Sequence, residues 1–289
     1  GPVGLSALAI SKVLQVPFTG TYHTSIPQYV QVLTGSDFME ELAWKFVLWY
    51  YDQMDLVYAP SNSTREELIS KGIDAGKVLV YPRGIDIHRF TPNHRNGFYR
   101  KWSVEENTVK ILYVGRVSKE KNLHLLLEAF RNLAAKKRNV VLTIVGDGPY
   151  LEEMKSQAAG LPCIFTGSLD GDDLTASYAS SDLFVFPSAT DTFGNVVLEA
   201  QASGLPVIVT DQGGPCENII DNETGIVIEA DTTAALLFAM ETMVSQPERM
   251  AAMGKAARHA MENRSFEAAF CRTWEMFGRV NTDKLPVAV

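Results

Sequence analysis

Six short, nearly continuous apolar runs recur through the second half of the chain, and they restrict its fold more than any other feature. They are Lys110-Ile-Leu-Tyr-Val-Gly115, Val140-Val-Leu-Thr-Ile-Val-Gly146, Cys163-Ile-Phe-Thr-Gly167, Leu183-Phe-Val-Phe-Pro187, Pro206-Val-Ile-Val-Thr210 and Gly225-Ile-Val-Ile228. Runs that do not alternate with polar residues suit strands buried on both faces of a sheet. Helical patterns separate them. Leu123, Leu126, Leu127, Phe130 and Leu133 form one stripe, and Ala176, Tyr178 and Ala179 fall in another segment. Strand and helix in alternation build an α/β, doubly wound parallel sheet. Residues 109–263 are therefore expected to form a Rossmann-like domain.

The first half carries the same alternation more sparsely. Val16–Tyr22, Leu56–Ala59 and Val78–Tyr81 read as strands, and residues 37–54 and 62–71 as helices. The second helix is opened by Ser61-Asn-Ser-Thr64, with Glu66 and Glu67 in its first turn. Three strands are too few for a complete doubly wound domain, so residues 1–108 are expected to form a partial N-terminal Rossmann-like domain. Thr91-Pro-Asn-His-Arg-Asn-Gly97 is turn-rich and reads as the start of a linker. The last segment, residues 264–289, holds a helix over about 265–280 with Phe266, Phe270, Trp274 and Phe277 on one side, expected to pack back toward the N-terminal domain.

Composition narrows the function classes. The 289 residues include 46% hydrophobic and 21% charged ones, enough apolar material for a sizeable core. A net charge of −8 argues against nucleic acid as a partner. Cys163, Cys216 and Cys271 are too few and too scattered for a disulfide framework or a metal site, so a reducing cytoplasm is expected and no metal is. No apolar run approaches the ~18 residues that span a bilayer. Leu42–Tyr51 is too short and contains Lys45. The start, Gly1-Pro2-Val3-Gly4, has neither a basic signal region nor an initiator Met, which fits a piece of a longer protein.

The segment Asp191-Thr-Phe-Gly-Asn-Val-Val-Leu-Glu199 places two acids eight positions apart with a glycine between them. Phe193-Gly194 breaks the first turn, so Asp191 is expected on a loop tip and Glu199 on a helix. Phe193, Gly194 and Asn195 would present backbone N–H groups at that helix's start, or Gly194 would serve only as a turn. Gly146-Asp-Gly148-Pro lacks a third glycine and contains Pro149, so it does not read as a dinucleotide fingerprint. Asp170-Gly-Asp172 has the form of a metal-binding D-x-D but precedes a helix, where acids are favoured anyway.

Together these pieces resemble the retaining, nucleotide-sugar-dependent glycosyltransferases of family 4, whose GT-B fold has two facing Rossmann domains. The resemblance rests on Val114-Gly-Arg116 with Lys121-Asn122, on Val145-Gly-Asp-Gly-Pro149, on the paired acids, and on Thr21-Tyr-His-Thr24. With Tyr81-Pro-Arg-Gly-Ile-Asp86 and Phe90, the last is similar to the branch of GDP-mannose-dependent mannosyltransferases and sulfoquinovosyl transferases. It implies transfer of a mannose-like or glucose-like hexose from GDP-mannose or a UDP-sugar to a glycan or lipid-linked hydroxyl, without metal or other cofactor. A role in cell-envelope glycans or glycolipids goes with it, as does a cytoplasmic location compatible with peripheral attachment at the inner face of a membrane.

By the same resemblance Gly115, Arg116 and Lys121 would hold the diphosphate, and Asp191, where Glu is commoner, the donor sugar. Glu199 would hold the ribose hydroxyls, Leu169 the base through its backbone, and His23 would stand in the interdomain cleft beside the reacting sugar. Arg83 and Asp86 look like cleft or interdomain residues. From the residues alone, Arg116 and Lys121 could equally be solvated cations, Glu199 a helix-start acid and His23 a structural histidine. Trp44 and Trp49 read as helix core or as contacts for a lipid-linked acceptor. The family's first strands and Gly-rich loop have no counterpart in the chain, so a donor-binding fragment without turnover is the alternative reading.

Overall fold

The computed structural model describes residues 2–278, which divide into two compact units: residues 2–83 with 267–278, and residues 84–266. The first unit contains α1 (Pro2–Leu14), β1 (Thr19–Thr21), α2 (Ile26–Thr34), α3 (Asp37–Asp52), β2 (Leu56–Ala59), α4 (Asn62–Ser70) and β3 (Val78–Val80). Its sheet is parallel, in the order β1-β2-β3.

Local chemistry accounts for the helix starts. Ser36 caps α3 by accepting from the Met39 N–H, with Asp37 and Glu40 in the first turn. Ser61 caps α4 by accepting from the Thr64 N–H at 3.2 Å. Trp44, Val47, Val57, Leu68 and Val78 form the core of this unit. Trp44 is thus a core residue, whereas Trp49 is half exposed. The helices α1 and α2 have no counterpart in the sequence reading; α1 lacks a clean apolar stripe, whereas α2 carries one in Ile26, Tyr29, Val30 and Leu33 at helical spacing.

The second unit holds β4 (Val109–Val114), α5 (Leu123–Lys136), β5 (Val140–Val145), α6 (Leu151–Gln157), β6 (Cys163–Gly167), α7 (Gly171–Ala179), β7 (Leu183–Phe186), α8 (Asn195–Ala202), β8 (Val207–Thr210), β9 (Gly225–Ile228), α9 (Thr233–Ser245) and α10 (Pro247–Glu262). All six expected strands are present, in a wholly parallel sheet ordered β6-β5-β4-β7-β8-β9. Strands β4, β5, β7 and β8 are buried almost end to end, and the leucine stripe of α5 lies against them. A last helix, α11 (Phe266–Phe277), belongs from Glu267 onward to the first unit. There Phe277 meets Tyr58 edge to face at 5.1 Å, and Thr273 lies by the Pro82 carbonyl. Residues 279–289, the rest of the expected C-terminal segment, lie outside the described residues.

The boundary expected near residue 108 falls instead at residue 83. Residues 91–97 are no linker, because the stretch that follows β3 is pinned to the second sheet. Phe98 and Tyr99 pack with Val141, Ile164 and Ala176. Arg95 donates to the carbonyls of Ala179 and Ser181 and pairs with Asp182 at 3.1 Å. The Tyr99 hydroxyl meets Ser181 Oγ at 2.7 Å. Buried aromatic area outweighs the turn-forming composition that suggested a linker.

Phe98→Ala should therefore destabilise the second unit by ~3–5 kcal/mol, as expected for emptying a buried aromatic site. Calorimetry should show the loss as a lowered melting transition. An unchanged transition would mean that residues 84–108 are not part of that core.

Candidate functional site

The strand order fixes where a ligand can sit. In the second sheet β4 is flanked by β5 on one side and β7 on the other, with Ile111 opposite Leu183 and Leu112 opposite Phe184. Winding reverses direction at this pair, so the loops leaving β4 and β7 part at the carboxyl edge and open a crevice. The β4 loop carries Gly115, Arg116 and Lys121. The β7 loop carries Asp191, Phe193 and Gly194, and runs into α8 with Asn195 and Glu199. Two segments 70 residues apart in sequence thus meet at the switch point.

Three ties hold the loops together. Lys121 Nζ lies 2.6 Å from Asp191 Oδ2, with only 17% and 26% of the two side chains exposed. Water therefore screens this pair less than a surface pair. Asn122 donates to the Pro187 carbonyl and, at 2.7 Å, to Asp231. Thr190 Oγ1 lies 3.4 Å from the Glu120 carbonyl. Below them the buried Tyr113 hydroxyl donates to the Arg116 carbonyl at 2.9 Å, which fixes the backbone where the exposed Arg116 side chain departs. Burial, with Asp191 and Glu120 nearby, pushes the Tyr113 phenol well above its ordinary pKa, so it remains a donor.

The Gly146–Pro149 segment supports this loop from behind. The Val117 N–H donates to the Asp147 carbonyl at 2.9 Å, and the Tyr150 N–H to the Val117 carbonyl at 3.0 Å. A Cβ on Gly146, at φ +136°, would fall on the Gly115 carbonyl oxygen. Glycine is required there so that two backbones can approach. A second support lies under the β7 loop. Gly214 N–H donates to the Asp191 carbonyl at 2.8 Å, and the buried Asn218 amide to the Phe193 carbonyl at 2.6 Å, with Arg264 bonded to Asn218 behind it. Gly194 caps α8 at φ +77°, a conformation open to glycine at little cost, and the exposed Asn195 starts the helix. Asp191 is on the loop, as its neighbours suggested.

Glu199 lies beyond the first turn of α8, where the helix dipole contributes little. It is half-buried, and its Oε2 accepts from the Tyr178 hydroxyl at 2.7 Å. Burial raises the Glu199 carboxyl above its ordinary pKa, while Tyr178 and the Arg89 cation pull it back. Leu169 follows β6 on the same carboxyl edge and is half-buried. Asp170 is the residue before α7, with Asp172 and Asp173 in its first turn. Among the described residues no group of three or more His, Cys, Asp or Glu side chains could hold a metal ion, and no helix is long and apolar enough to cross a membrane.

His23 belongs to the first unit, just past the end of β1. Its Nδ1 lies 3.3 Å from the Tyr81 hydroxyl, and Arg83 stacks over the Tyr81 ring at 5.7 Å. Partial burial and then Arg83 lower the His23 pKa, which favours the neutral ring at neutral pH. Asp86 is occupied locally, its Oδ1 accepting from the N–H groups of His88 and Arg89. Tyr178, Arg89 and Asn218 escaped the sequence reading. Only Tyr178 carried a signal, as a lone aromatic in the small-residue stretch Ala176-Ser-Tyr-Ala179.

Comparison with known proteins adds a context for this edge. Residues 96–260 match the profile described as glycosyl transferases group 1, and residues 1–89 match that of glycosyltransferase family 4. A sulfoquinovosyl transferase of Arabidopsis thaliana is 34% identical over 93% of the chain, and the match covers 53% of that protein. A GDP-mannose-dependent alpha-mannosyltransferase of Mycobacterium tuberculosis is 35% identical over 91% of the chain, with 67% of that protein covered. The chain thus spans about half to two thirds of the length of these relatives. The crystal structure of HepE from Anabaena with UDP and glucose matches 96% of the chain and 76% of its own, at a TM-score of 0.82 and 20% identity.

Glu199→Gln should leave the protein as stable or more stable at pH 7. A carboxyl with a raised pKa in the folded state binds more protons there than when unfolded. Its charged form therefore costs stability above its folded pKa, and the cost disappears as pH falls below the ordinary carboxyl range. Melting should rise by about 2–4 °C per kcal/mol relieved, and the gain should vanish on acidification. A variant that melts lower at pH 7 would contradict this reading of the Glu199 environment.

Proposed function

We propose, from the premise that this chain belongs to the glycosyl transferases group 1 family of GT-B glycosyltransferases, that it carries the site where a nucleotide diphosphate sugar gives up its hexose. The observation that supports this most is the Lys121–Asp191 pair, which joins the loop of Arg116 to the loop that leads into the helix of Glu199 at the reversal of strand order. Cations from one loop, with acids from the other loop and the helix it leads into, match a ligand with a charged middle and hydroxyl-rich ends. HepE, with the same fold, was crystallised with UDP-glucose.

In this reading Glu199 accepts from the ribose hydroxyls and Leu169 offers backbone groups to the base. Arg116 grips the diphosphate by its fork, and Lys121 adds a point charge. To reach the phosphate, Lys121 shares or releases Asp191, which then turns to the sugar hydroxyls. The N–H groups at Gly194 and Asn195 face the same ligand at the start of α8. The bond from the anomeric carbon to the phosphate oxygen breaks and the acceptor oxygen bonds that carbon on the same face, with retention. The acceptor proton passes to the departing phosphate. Stabilising the charge on that phosphate is the main demand, and the two cations meet it. His23 is assigned to the reacting sugar on resemblance alone. GDP-mannose and a UDP-hexose are the donors to try, with glycan or lipid-linked hydroxyls as acceptors.

Incubation with UDP-glucose or GDP-mannose should release the nucleoside diphosphate, and Arg116→Ala should slow the release by about 10²-fold. Glu199→Ala should weaken nucleotide binding by ~1–3 kcal/mol, the value of a charged hydrogen-bond acceptor. Binding without release, with every acceptor tried, would leave donor binding as the function of this chain. No binding at all would end the proposal.

A further inference from the structure

We propose that Tyr178 is a positioning residue for nucleotide recognition, holding the Glu199 carboxylate so that its second oxygen meets the ribose diol. The inference rests on the donor-site reading above and adds a specificity element to it. Tyr178 is fully buried on α7, its ring edge-on to Phe90 at 5.8 Å and tilted against Phe184 at 5.7 Å. Phenylalanine would fill that space equally well. A hydroxyl in such a place costs desolvation unless a partner repays it, and its partner is Glu199 Oε2 at 2.7 Å.

With the ring locked by its neighbours, the phenol fixes one carboxylate oxygen. Oε1 is left to accept from the ligand. Burial works against ionisation of Glu199, and the Tyr178 hydrogen bond and the Arg89 cation both oppose that effect. Arg89 is set in place by the turn that Asp86 closes, next to Phe90, which packs on Tyr178. Of the other charged groups on elements packed against α8, Arg258 of α10 is bonded to the carbonyls of Ile87, Phe90 and Ala202, and Glu217 sits in the turn Pro215–Asn218. One carboxylate is thus oriented by a phenol from α7, and that phenol and a guanidinium from the segment after β3 partly offset the effect of burial on its charge.

The test is calorimetric titration of the wild-type chain and Tyr178→Phe with UDP and GDP, each against its 2′-deoxy analogue, across mildly acidic to neutral pH. The wild type should prefer the ribonucleotide. Tyr178→Phe should bind it about tenfold more weakly, with the 2′-deoxy analogue little changed, so that discrimination collapses. Binding depends on the ionised carboxylate, and loss of the phenol raises its pKa further. The acid limb of binding in the variant should therefore move to higher pH. In a Glu199→Ala background the same replacement should have no further effect, because Tyr178 acts through Glu199.

Equal discrimination and an unshifted acid limb in Tyr178→Phe would overturn the inference, as would equal weakening of ribo- and deoxynucleotide, which marks a purely structural residue. A wild type that binds both nucleotides without discrimination removes Glu199 from the ribose, overturning this inference and the Glu199 assignment above while leaving the diphosphate assignment to Arg116 and Lys121 standing. A wild type that binds neither removes the donor-site reading and this inference with it.

Discussion

The reversal of winding between β4 and β7 is the constraint on which the rest of the second unit depends. A parallel sheet must send its connections over one face or the other, and where the direction changes two loops separate at the carboxyl edge. That places Arg116 and Lys121 beside a loop 70 residues further along the chain, with Lys121 against Asp191. Much of the surrounding sequence serves to keep those loops still. Gly146 lets the β5 loop rest on Gly115, Tyr113 fixes the Arg116 carbonyl, and Asn218 and Gly214 support the β7 loop. A site that stabilises developing charge works by such preorganisation.

The two acids, Asp191 and Glu199, occupy different environments, and neither is placed as a free proton carrier. Asp191 is held by a cation, and Glu199 by a phenol in a half-buried pocket. Both arrangements suit groups that accept hydrogen bonds from hydroxyls. The proposed function assigns charge stabilisation to Arg116 and Lys121, on the opposite loop.

Legibility in the sequence followed the physics of each element. The six strands of the second sheet were readable because burial on both faces demands unbroken apolar runs. Lys121, Asp191, Gly194 and Glu199 were readable as a motif, though the Lys121–Asp191 pair was not, because only the strand order brings those loops together. The stretch 84–108 misled because turn-forming residues lie between anchors, and Phe98 and Tyr99 declare their role only when the surface they cover is known. Tyr178 was hidden for a similar reason. A lone aromatic within a helix reads as packing, and its hydroxyl acquires meaning only from the carboxylate on the next helix. Helix α1 lacked a clean periodic stripe to announce it.

A crystal soaked with UDP or GDP tests the central claim most directly. The ribose should lie within hydrogen-bonding distance of Glu199 and the diphosphate against Arg116 and Lys121, at the carboxyl ends of β4 and β7. A nucleotide bound elsewhere, or one whose ribose and phosphates avoid these side chains, would contradict it.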